Sequence, residues 1–255
     1  MKKGKLMRDI NKYSDDYLVQ DFEIYQVKYR RKMVIEQIEK YQPHRILEIG
    51  CGQEPLFQHI KGKEWVIVEP SKAFCQIAES KISEADYVHI IQGFFEDHIC
   101  QLESESFDMI ICSGLLNEVE KPECMLEGIF RICKENTIVH INVANAYSFH
   151  RILAKNMGII EDEHEMSERN ILFQQNIVFD MDKLLEMMLK YKCEVLDQGS
   201  YFIKPFTHKQ MNDLLKKGII DKRVLDGLYS MACDLPRLGS EIFVNCRKIC
   251  SVREE

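Results

Sequence analysis

Short apolar runs alternate with amphipathic stretches in the first part of the chain. The runs are rich in Val and Ile, as expected of buried strands. The predicted strands are Ile46–Glu48, Trp65–Val68, Tyr87–Gln92, Phe107–Cys112 and Thr137–Val143. Helical periodicity predicts helices between them at Ser71–Ser80, with Ser71 as the N-cap, and at Met125–Cys133. Strands that alternate with helices in this way are typical of an α/β fold with a parallel sheet covered on both faces.

Two regions outside this alternation are predicted to be helical. Apolar residues recur at three- and four-residue steps over residues 11–42, up to the helix-breaking Pro43. Residues 146–192 also follow a mostly helical pattern, interrupted by a charged hinge. We therefore predict an N-terminal helical cap over residues 1–42 and one α/β domain over residues 43–255, with a helical lid inserted at about 146–192.

The sequence after the predicted lid contains both extended and helical patterns. Gly199 and Ser200 are predicted to separate two extended pieces, because such residues commonly interrupt strands. Two helical stretches follow within residues 207–234. A last strand is predicted at Glu241–Cys246.

Composition narrows the classes of partner. The 255 residues carry a formal net charge of -7, and the pI is near 5.7, which argues against nucleic acid because phosphate backbones attract basic surfaces. No apolar run approaches the roughly 18 residues of a membrane span, and the first residues lack the apolar core of a signal peptide. Ten cysteines without a CxxC pair indicate reduced thiols rather than a zinc site. We expect a cytoplasmic protein without nucleic-acid, membrane or metal ligands.

The stretch "LEIGCG" follows a predicted strand and precedes a predicted helix, which is the context of a nucleotide-binding turn. Gly50 and Gly52 permit a tight turn and close approach of a ligand, with Cys51 between them. A dinucleotide fingerprint requires a third glycine where this chain has Pro55. Glu48 adds a carboxylate that repels a pyrophosphate and suits a cationic ligand. S-adenosylmethionine, which has an ammonium and a sulfonium and no phosphate, fits this pattern better than NAD.

The second strand supplies another acid. Glu69 and the following Pro70 close the run "WVIVEP". A carboxylate at the carboxyl end of the second strand can accept both hydroxyl groups of an adenosine ribose. NAD and S-adenosylmethionine both contain that ribose, so Glu69 indicates an adenosine ligand without separating the two.

The third and fourth strands end in further candidate ligand contacts. Glu96 can accept the adenine amino group, although a solvated role is equally compatible with its position. Phe94 and Phe95 can lie against the adenine ring, or they can pack in the core as aromatic pairs usually do. The carbonyl groups of Cys112 and Ser113 are placed to face a ligand ammonium.

The motifs "LEIGCG", "VEP", "GFFED" and "FDMIICSGLLNEVEKP" occur in one order and spacing over Arg45 to about Asn145. In that combination the chain resembles a class I S-adenosylmethionine-dependent methyltransferase. The resemblance implies a Rossmann-like sheet of seven strands in the order 3-2-1-4-5-7-6, with the last strand antiparallel. It also implies methyl transfer from S-adenosylmethionine to an oxygen or nitrogen of a small molecule. The sequence from Asn142 onward resembles a subgroup found with polysaccharide and natural-product biosynthesis genes.

The chain departs from the family pattern at two positions. The third glycine of a GxGxG pattern is replaced by Glu54, and a histidine that many members carry in the fourth motif is replaced by Asn117. Two alternatives therefore stay open at this point. One is an NAD(P)-dependent oxidoreductase, and the other is a protein that binds S-adenosylmethionine without catalysis.

His150 is the predicted catalytic residue. It follows the fifth strand, at the edge where open α/β sheets bind ligands. A histidine there can act as a general base toward a hydroxyl acceptor or orient the acceptor by a hydrogen bond. The alternative is a helix-start histidine with a local hydrogen bond, in which case the base would be an N-terminal tyrosine or His164.

Overall fold

Seven strands form one central sheet in the computed structural model, which describes residue 10 and residues 22–103 and 106–249. The strands are β1 (Arg45–Ile49), β2 (Glu64–Glu69), β3 (Tyr87–Gln92), β4 (Met109–Ser113), β5 (Ile138–Ala144), β6 (Cys193–Tyr201) and β7 (Glu241–Lys248). Their spatial order is β3-β2-β1-β4-β5-β7-β6. Neighbouring strands from β3 to β5 are parallel, and β7 runs antiparallel to β5 and β6. The predicted strand order and the antiparallel last strand are confirmed.

Nine α-helices connect or cover the strands in the described part of the chain. They are α1 (Glu23–Tyr41), α2 (Lys72–Glu79), α3 (Phe95–Leu102), α4 (Pro122–Ile132), α5 (Phe149–Asn156), α6 (Glu168–Leu172), α7 (Met181–Leu189), α8 (His208–Lys216) and α9 (Lys222–Ser230). Ser71 caps α2 as predicted, because its side chain accepts the N–H of Phe74. Within the described ranges, no helix combines the length and apolar character that crossing a bilayer would require.

Alternate residues of the strands feed two apolar clusters, one on each face of the sheet. In β1, Ile46 belongs to one cluster and Leu47 to the other, as the two-residue period of a strand dictates. Helices α4 and α7 contribute to the cluster of Leu47, and α1 contributes to the cluster of Ile46. Both faces are therefore covered, which leaves the carboxyl edge of the parallel strands as the place for a ligand.

Helix α1 covers the sheet with an aromatic face. The ring of Tyr29 stacks on Phe202, with ring centroids 4.6 Å apart, and its hydroxyl donates to Asp226 at 2.8 Å. The helix ends at Gln42, which adopts a left-handed conformation immediately before Pro43. The predicted helix over residues 11–42 is confirmed from Glu23 onward, and residues 11–21 lie outside the described residues.

Residues 146–192 contain α5, α6 and α7 with irregular segments between them, so helix covers less of this region than its periodicity predicts. The acidic run between α5 and α6 is the physical reason. Glu165 accepts the backbone N–H groups of Glu161 and Asp162, which competes with helical hydrogen bonding. Arg151 holds the same segment to α5 by donating to the carbonyl of Glu163 at 2.6 Å.

The prediction that Gly199 and Ser200 separate two extended pieces is wrong, because both residues lie inside β6. A side chain at position 199 would place its Cβ 3.0 Å from the ring of Phe243 on β7. Glycine thus occurs here because an aromatic ring of the neighbouring strand packs on the backbone. The irregularity of β6 lies earlier, at the register shift between Val195 and Asp197.

Candidate functional site

A cavity of about 780 Å³ opens at the carboxyl ends of the parallel strands. Residues that follow β1, β2, β4 and β5 line it, together with α1 and the segment after β6. Its size falls within the range of small-molecule and cofactor sites. Its place matches the crevice in which open α/β sheets bind ligands.

The glycine turn forms one wall of this cavity. Gly50 and Gly52 have φ angles of 76° and 57°, in the left-handed region that favours glycine. A Cβ at Gly52 would meet no heavy atom within 4 Å. The bare backbone of Gly52 therefore faces the open space of the cavity. This bare backbone lets a ligand approach closely, and it fits the cofactor that the sequence predicts.

Glu69 lies beside the turn with its carboxylate oriented by three backbone amides. Its Oε2 accepts the N–H groups of Cys51 at 3.1 Å and Gly52 at 3.3 Å, and its Oε1 accepts that of Ser71 at 2.8 Å. Only 5% of the residue is exposed. A carboxylate fixed in this way at the end of the second strand presents an ordered acceptor to the cavity.

Glu48 is a second buried carboxylate in the same wall. Its Oε2 accepts the N–H of Leu56 at 3.2 Å. Burial raises the pKa of Glu48 to about 8, the nearby charge of Glu69 adds to this, and Arg31 opposes it. A cationic ligand group beside Glu48 would favour its ionised form, so this end of the cavity suits a cation.

The other predicted cofactor contacts divide into two groups. Pro70, Phe94, Glu96 and Ser113 line the cavity, with Phe94 and Glu96 on its exposed side. Phe95 also borders the cavity, but it is 2% exposed. Its ring lies 2.9 Å from the position that a Cβ on Gly128 of α4 would take. Phe95 therefore packs mainly in the core between α3 and α4.

Cys51 and Cys112 are predicted contacts whose side chains are buried. Cys51 lines the cavity and is 8% exposed. Cys112 is 0% exposed, inside β4, and burial raises the pKa of its thiol to about 12. Any contact that Cys112 makes with a ligand is therefore limited to its backbone.

Both departures from the family motif also face the cavity. Asn117 is 3% exposed, and its Oδ1 has no hydrogen-bond partner among the described residues. Glu54 forms an ion pair with Arg31 of α1. The residue that replaces the third glycine thus ties the glycine turn to the covering helix.

His150 lies at the start of α5 and lines the cavity, as predicted. Its Nδ1 is buried without a hydrogen-bond partner among the described residues. Burial lowers the pKa of His150 well below 6.5, and the nearby cations Lys204, Arg151 and Arg169 lower it further. The imidazole is therefore neutral near pH 7.

The alternative bases have structural partners. His164 lies 2.7 Å from Asp180 Oδ2 through its Nε2 and packs edge-on against Tyr147. Tyr29 is committed to Phe202 and Asp226. Tyr13 and Tyr17 lie outside the described residues. Among the candidate bases, His150 is thus the one that lies in the cavity at the position predicted from the sequence.

Sequence reasoning missed a cluster of charged residues beside His150. We call it the Lys204 cluster; its members are Glu23, Arg30, Arg151, Arg169, Lys204, His208 and Glu241, all of which line the cavity. Two of them stand out in apolar surroundings: Lys204 in "YFIKPF" and Glu241 at the head of "EIFVN". A charge inside an apolar run is the signal that could have identified them, because buried charges are rare unless paired.

Two carboxylates hold this cluster together. Glu241 accepts from Arg30 Nε at 2.8 Å and from Gln26 Nε2 at 2.9 Å, and it also bonds the Tyr201 hydroxyl. Glu23 pairs with Arg169, lies 3.7 Å from Arg30 Nη2 and lies 3.3 Å from His208 Nε2. Among residues 22–103 and 106–249, no group of three or more His, Cys, Asp or Glu side chains is arranged to hold a metal ion.

Residues 47–141 match the model of the methyltransferase domain family. A curated relative, the ubiquinone biosynthesis O-methyltransferase of Glaesserella parasuis, is 27% identical over 108 residues. That alignment covers 40% of this chain and 45% of the relative, so the chain spans less than half of the length of the enzyme it matches.

Two solved structures resemble nearly the whole chain. An S-adenosylmethionine-dependent methyltransferase of Thermotoga maritima has a TM-score of 0.56 at 18% identity, covering 94% of this chain and 96% of that one. The plantazolicin methyltransferase BamL, solved with S-adenosylhomocysteine, has a TM-score of 0.55 at 15% identity, covering 94% and 97%. Residues 47–141 therefore match a methyltransferase domain, and the chain has the fold of class I S-adenosylmethionine-dependent methyltransferases.

Proposed function

We propose that this protein transfers a methyl group from S-adenosylmethionine to an oxygen or nitrogen of a small-molecule acceptor. The observation that carries the proposal is the Glu69 carboxylate, buried and oriented by three backbone amides beside a bare glycine turn. An adenosine ribose requires an acceptor of this kind, and the lack of a third glycine argues against a dinucleotide.

The cofactor end of the cavity is formed by the motif residues. Glu69 would accept the ribose hydroxyls, Glu96 the adenine amino group, and Phe94 would lie against the adenine ring. Glu48 and the carbonyl of Ser113 would face the cationic methionine part. When bound, S-adenosylmethionine supplies a methyl group that already carries its leaving group, so the protein mainly has to orient the acceptor and exclude water.

His150 serves the acceptor in this proposal. Its neutral imidazole can take a proton from an acceptor hydroxyl, or it can orient an amine that binds unprotonated. Proton transfer by a positioned side chain typically contributes a factor of roughly 10²–10⁴ to the rate. An oxygen acceptor would use this contribution, and the curated relative is named as an O-methyltransferase.

The acceptor class follows from the resemblance and not from the cavity alone. The C-terminal sequence resembles methyltransferases of polysaccharide and natural-product biosynthesis, and BamL is named as a methyltransferase of plantazolicin.

We assign residues 1–42 as a cap and residues 146–192 as a lid over the cavity. A cytoplasmic location suits the free thiols of the nine described cysteines, since disulfides are rare in that compartment.

Calorimetric titration tests the proposal against its two alternatives. We expect S-adenosylmethionine and S-adenosylhomocysteine to bind and NAD and NADP to give no heat of binding. Tight NAD binding without a response to S-adenosylmethionine would make the protein an oxidoreductase. Incubation with a panel of metabolites and methyl-deuterated S-adenosylmethionine, read by mass spectrometry, should yield a labelled product. S-adenosylmethionine binding with no labelled product from any member of the panel would favour a non-catalytic binding protein.

A further inference from the structure

Lys204 is a buried cation with a single hydrogen bond in the described part of the chain. It lies between β6 and α8, is 4% exposed and lines the cavity. Its Nζ lies 2.9 Å from Nδ1 of His208, which it reaches as a donor. An ammonium has three N–H donors, so a buried Lys204 with one protein acceptor is under-satisfied.

The carboxylates of the Lys204 cluster are committed to other donors. Glu241 bonds Arg30, Gln26 and Tyr201, and Glu23 pairs with Arg169 and faces His208. These contacts leave Lys204 linked to Glu23 only indirectly, through the ring of His208. The two carboxylates therefore pair with Arg30 and Arg169, whereas the described hydrogen bond of Lys204 goes to His208.

The cluster as a whole carries an excess of positive charge. Three cationic side chains (Arg30, Arg169 and Lys204) share two carboxylates, Glu23 and Glu241, whereas Arg151 is offset by the acidic loop of residues 162–165. Burial lowers the pKa of Lys204 to about 7, the charge of Arg169 lowers it further, and the two carboxylates oppose this shift. An anion in the cavity would restore the fully charged lysine.

A second buried group faces the same space without a partner. The Nδ1 atom of His150 has no hydrogen-bond partner among the described residues, although the ring lines the cavity. Buried polar atoms are nearly always hydrogen-bonded in folded proteins, so orphaned atoms in a cavity wall mark the place of a ligand. His150 Nδ1 is such an atom, and the ammonium of Lys204, with one hydrogen bond for three N–H donors, is an under-satisfied group in the same wall.

We propose that Lys204, beside His150, binds an oxyanion of the methyl acceptor, so that the acceptor is an acidic small molecule carrying a carboxylate or a phosphate. The proposal rests on the proposed function, since it names the acceptor of that reaction. The oxyanion supplies the acceptor atoms that the lysine ammonium lacks. It also fixes the acceptor next to His150, which is the residue assigned to its proton.

A titration of simple oxyanions tests this site. Sodium phosphate and sodium acetate are titrated separately into the complex with S-adenosylhomocysteine, with ionic strength held constant by sodium chloride. The variants are Lys204→Met, which keeps the length of the side chain without its charge, and Lys209→Met, an exposed lysine on α8 that serves as the matched control. Phosphate binding alone indicates a phosphorylated acceptor, and acetate binding indicates a carboxylate.

We expect an oxyanion to bind the unchanged protein and Lys209→Met alike, and to bind Lys204→Met at least tenfold more weakly. Equal oxyanion affinity in Lys204→Met, or no oxyanion binding to the complex, would overturn the proposal while the proposed function stands. Loss of S-adenosylhomocysteine affinity in Lys204→Met would also overturn it, because the cofactor's own carboxylate would then occupy the site. Failure of S-adenosylhomocysteine to bind the unchanged protein would overturn the proposed function itself.

If Lys204→Met does not fold, the pH dependence of acetate affinity in the unchanged protein tests whether Lys204 binds the oxyanion. Lysine loses its charge as pH rises, so acetate affinity should fall as pH rises above about 7. Arg169 on α6, Arg151 on α5, Glu23 on α1, Glu241 on β7 and His208 on α8 face Lys204. Burial and neighbouring cations hold the pKa of His208 well below 6.5, so it stays neutral in this range. An acetate affinity that is constant from pH 6 to 9 would contradict the proposal.

Discussion

The two ends of the cavity differ in charge and in how the chain builds them. The cofactor end presents two carboxylates, Glu48 and Glu69, from adjacent strands joined by the glycine turn. The acceptor end presents Lys204 and three arginines, which come from the segment after β6 and from α1, α5 and α6. On our proposals, the carboxylate end of the cavity favours the cationic cofactor and the cationic end favours an anionic acceptor.

Burial acts on both ends in the same physical way. It disfavours charge, so the pKa of Glu48 is raised to about 8 and that of Lys204 is lowered to about 7. Each group is thereby close to its neutral form until a ligand of opposite charge arrives. Binding of a ligand of opposite charge would therefore bring Glu48 and Lys204 into their charged forms.

Removal of His150 should produce the largest effect. His150→Ala should slow methyl transfer to the acceptor by roughly a hundredfold or more with cofactor affinity unchanged. Because the pKa of His150 is well below 6.5, the rate of the unchanged enzyme should rise only at acidic pH and be flat above pH 6.5.

The matched control is His164→Ala, in the loop between α5 and α6, which should retain the rate. Single-turnover kinetics with saturating acceptor separates the two variants. Normal turnover by His150→Ala, or loss of cofactor affinity in place of rate, would make His150 a structural residue.

Substitution of Glu69 tests the cofactor end by itself. Glu69→Gln should weaken S-adenosylhomocysteine binding by about 1.5–3 kcal/mol, since charge-assisted hydrogen bonds to the ribose are weakened. Glutamine is preferred to alanine because it keeps one oxygen acceptor, either for the amides of Cys51 and Gly52 or for that of Ser71. Glu79→Gln, at an exposed position on α2, is the control. An unchanged dissociation constant for Glu69→Gln would show that Glu69 does not bond the ribose.

Most of the cofactor end could be predicted from the sequence, because its residues are local to the strand ends. Glu48, Gly50, Gly52 and Glu69 lie within one β-turn-β stretch whose periodicity fixes their edge of the sheet. The seven-strand order followed from the family resemblance, and the strand pattern alone would have left it open.

The acceptor end could not be predicted in the same way. Lys204 and His208 occupy one segment, and Glu23, Arg169 and Glu241 come from three others that the fold brings together. No local spacing relates residues so far apart in the chain. His150 was found only because it follows β5 at the edge where ligands bind, and its cationic surroundings were not visible in the sequence.

Ionisation of Glu48 should accompany cofactor binding. With a pKa of about 8 the carboxyl is mostly protonated at pH 7, so a cationic ligand should release up to one proton on binding. Calorimetry in buffers of different ionisation enthalpy measures this release, which should vanish in Glu48→Gln. Proton release that is equal in both proteins would place the cation elsewhere.

The same substitution makes a prediction about stability. A folded-state pKa raised from 4.5 to about 8 means that ionisation of Glu48 costs stability progressively as pH rises between these values. Glu48→Gln should therefore raise the melting temperature more at pH 9 than at pH 5. An identical shift at both pH values would show that Glu48 is not a buried, ionising group.

Alanine at the glycine turn should give the smallest effect. Gly52→Ala and Gly62→Ala both force a left-handed conformation, with φ angles of 57° and 74°, and neither Cβ meets an atom within 4 Å. Each should lower the free energy of unfolding by about 1–2 kcal/mol. Only Gly52→Ala should also weaken S-adenosylhomocysteine binding, because only Gly52 lines the cavity. Equal cofactor affinity in the two variants would show that the glycine turn does not contact the cofactor.

A crystal structure of the complex with S-adenosylhomocysteine tests the assignment of the two ends most directly. We predict that the ribose hydroxyls bond Glu69, that the cationic amino group lies on the side of Glu48, and that Lys204 and His150 face the space beyond the sulfur atom. A complex in which the homocysteine carboxylate bonds Lys204, or in which Glu69 does not contact the ribose, would contradict the account.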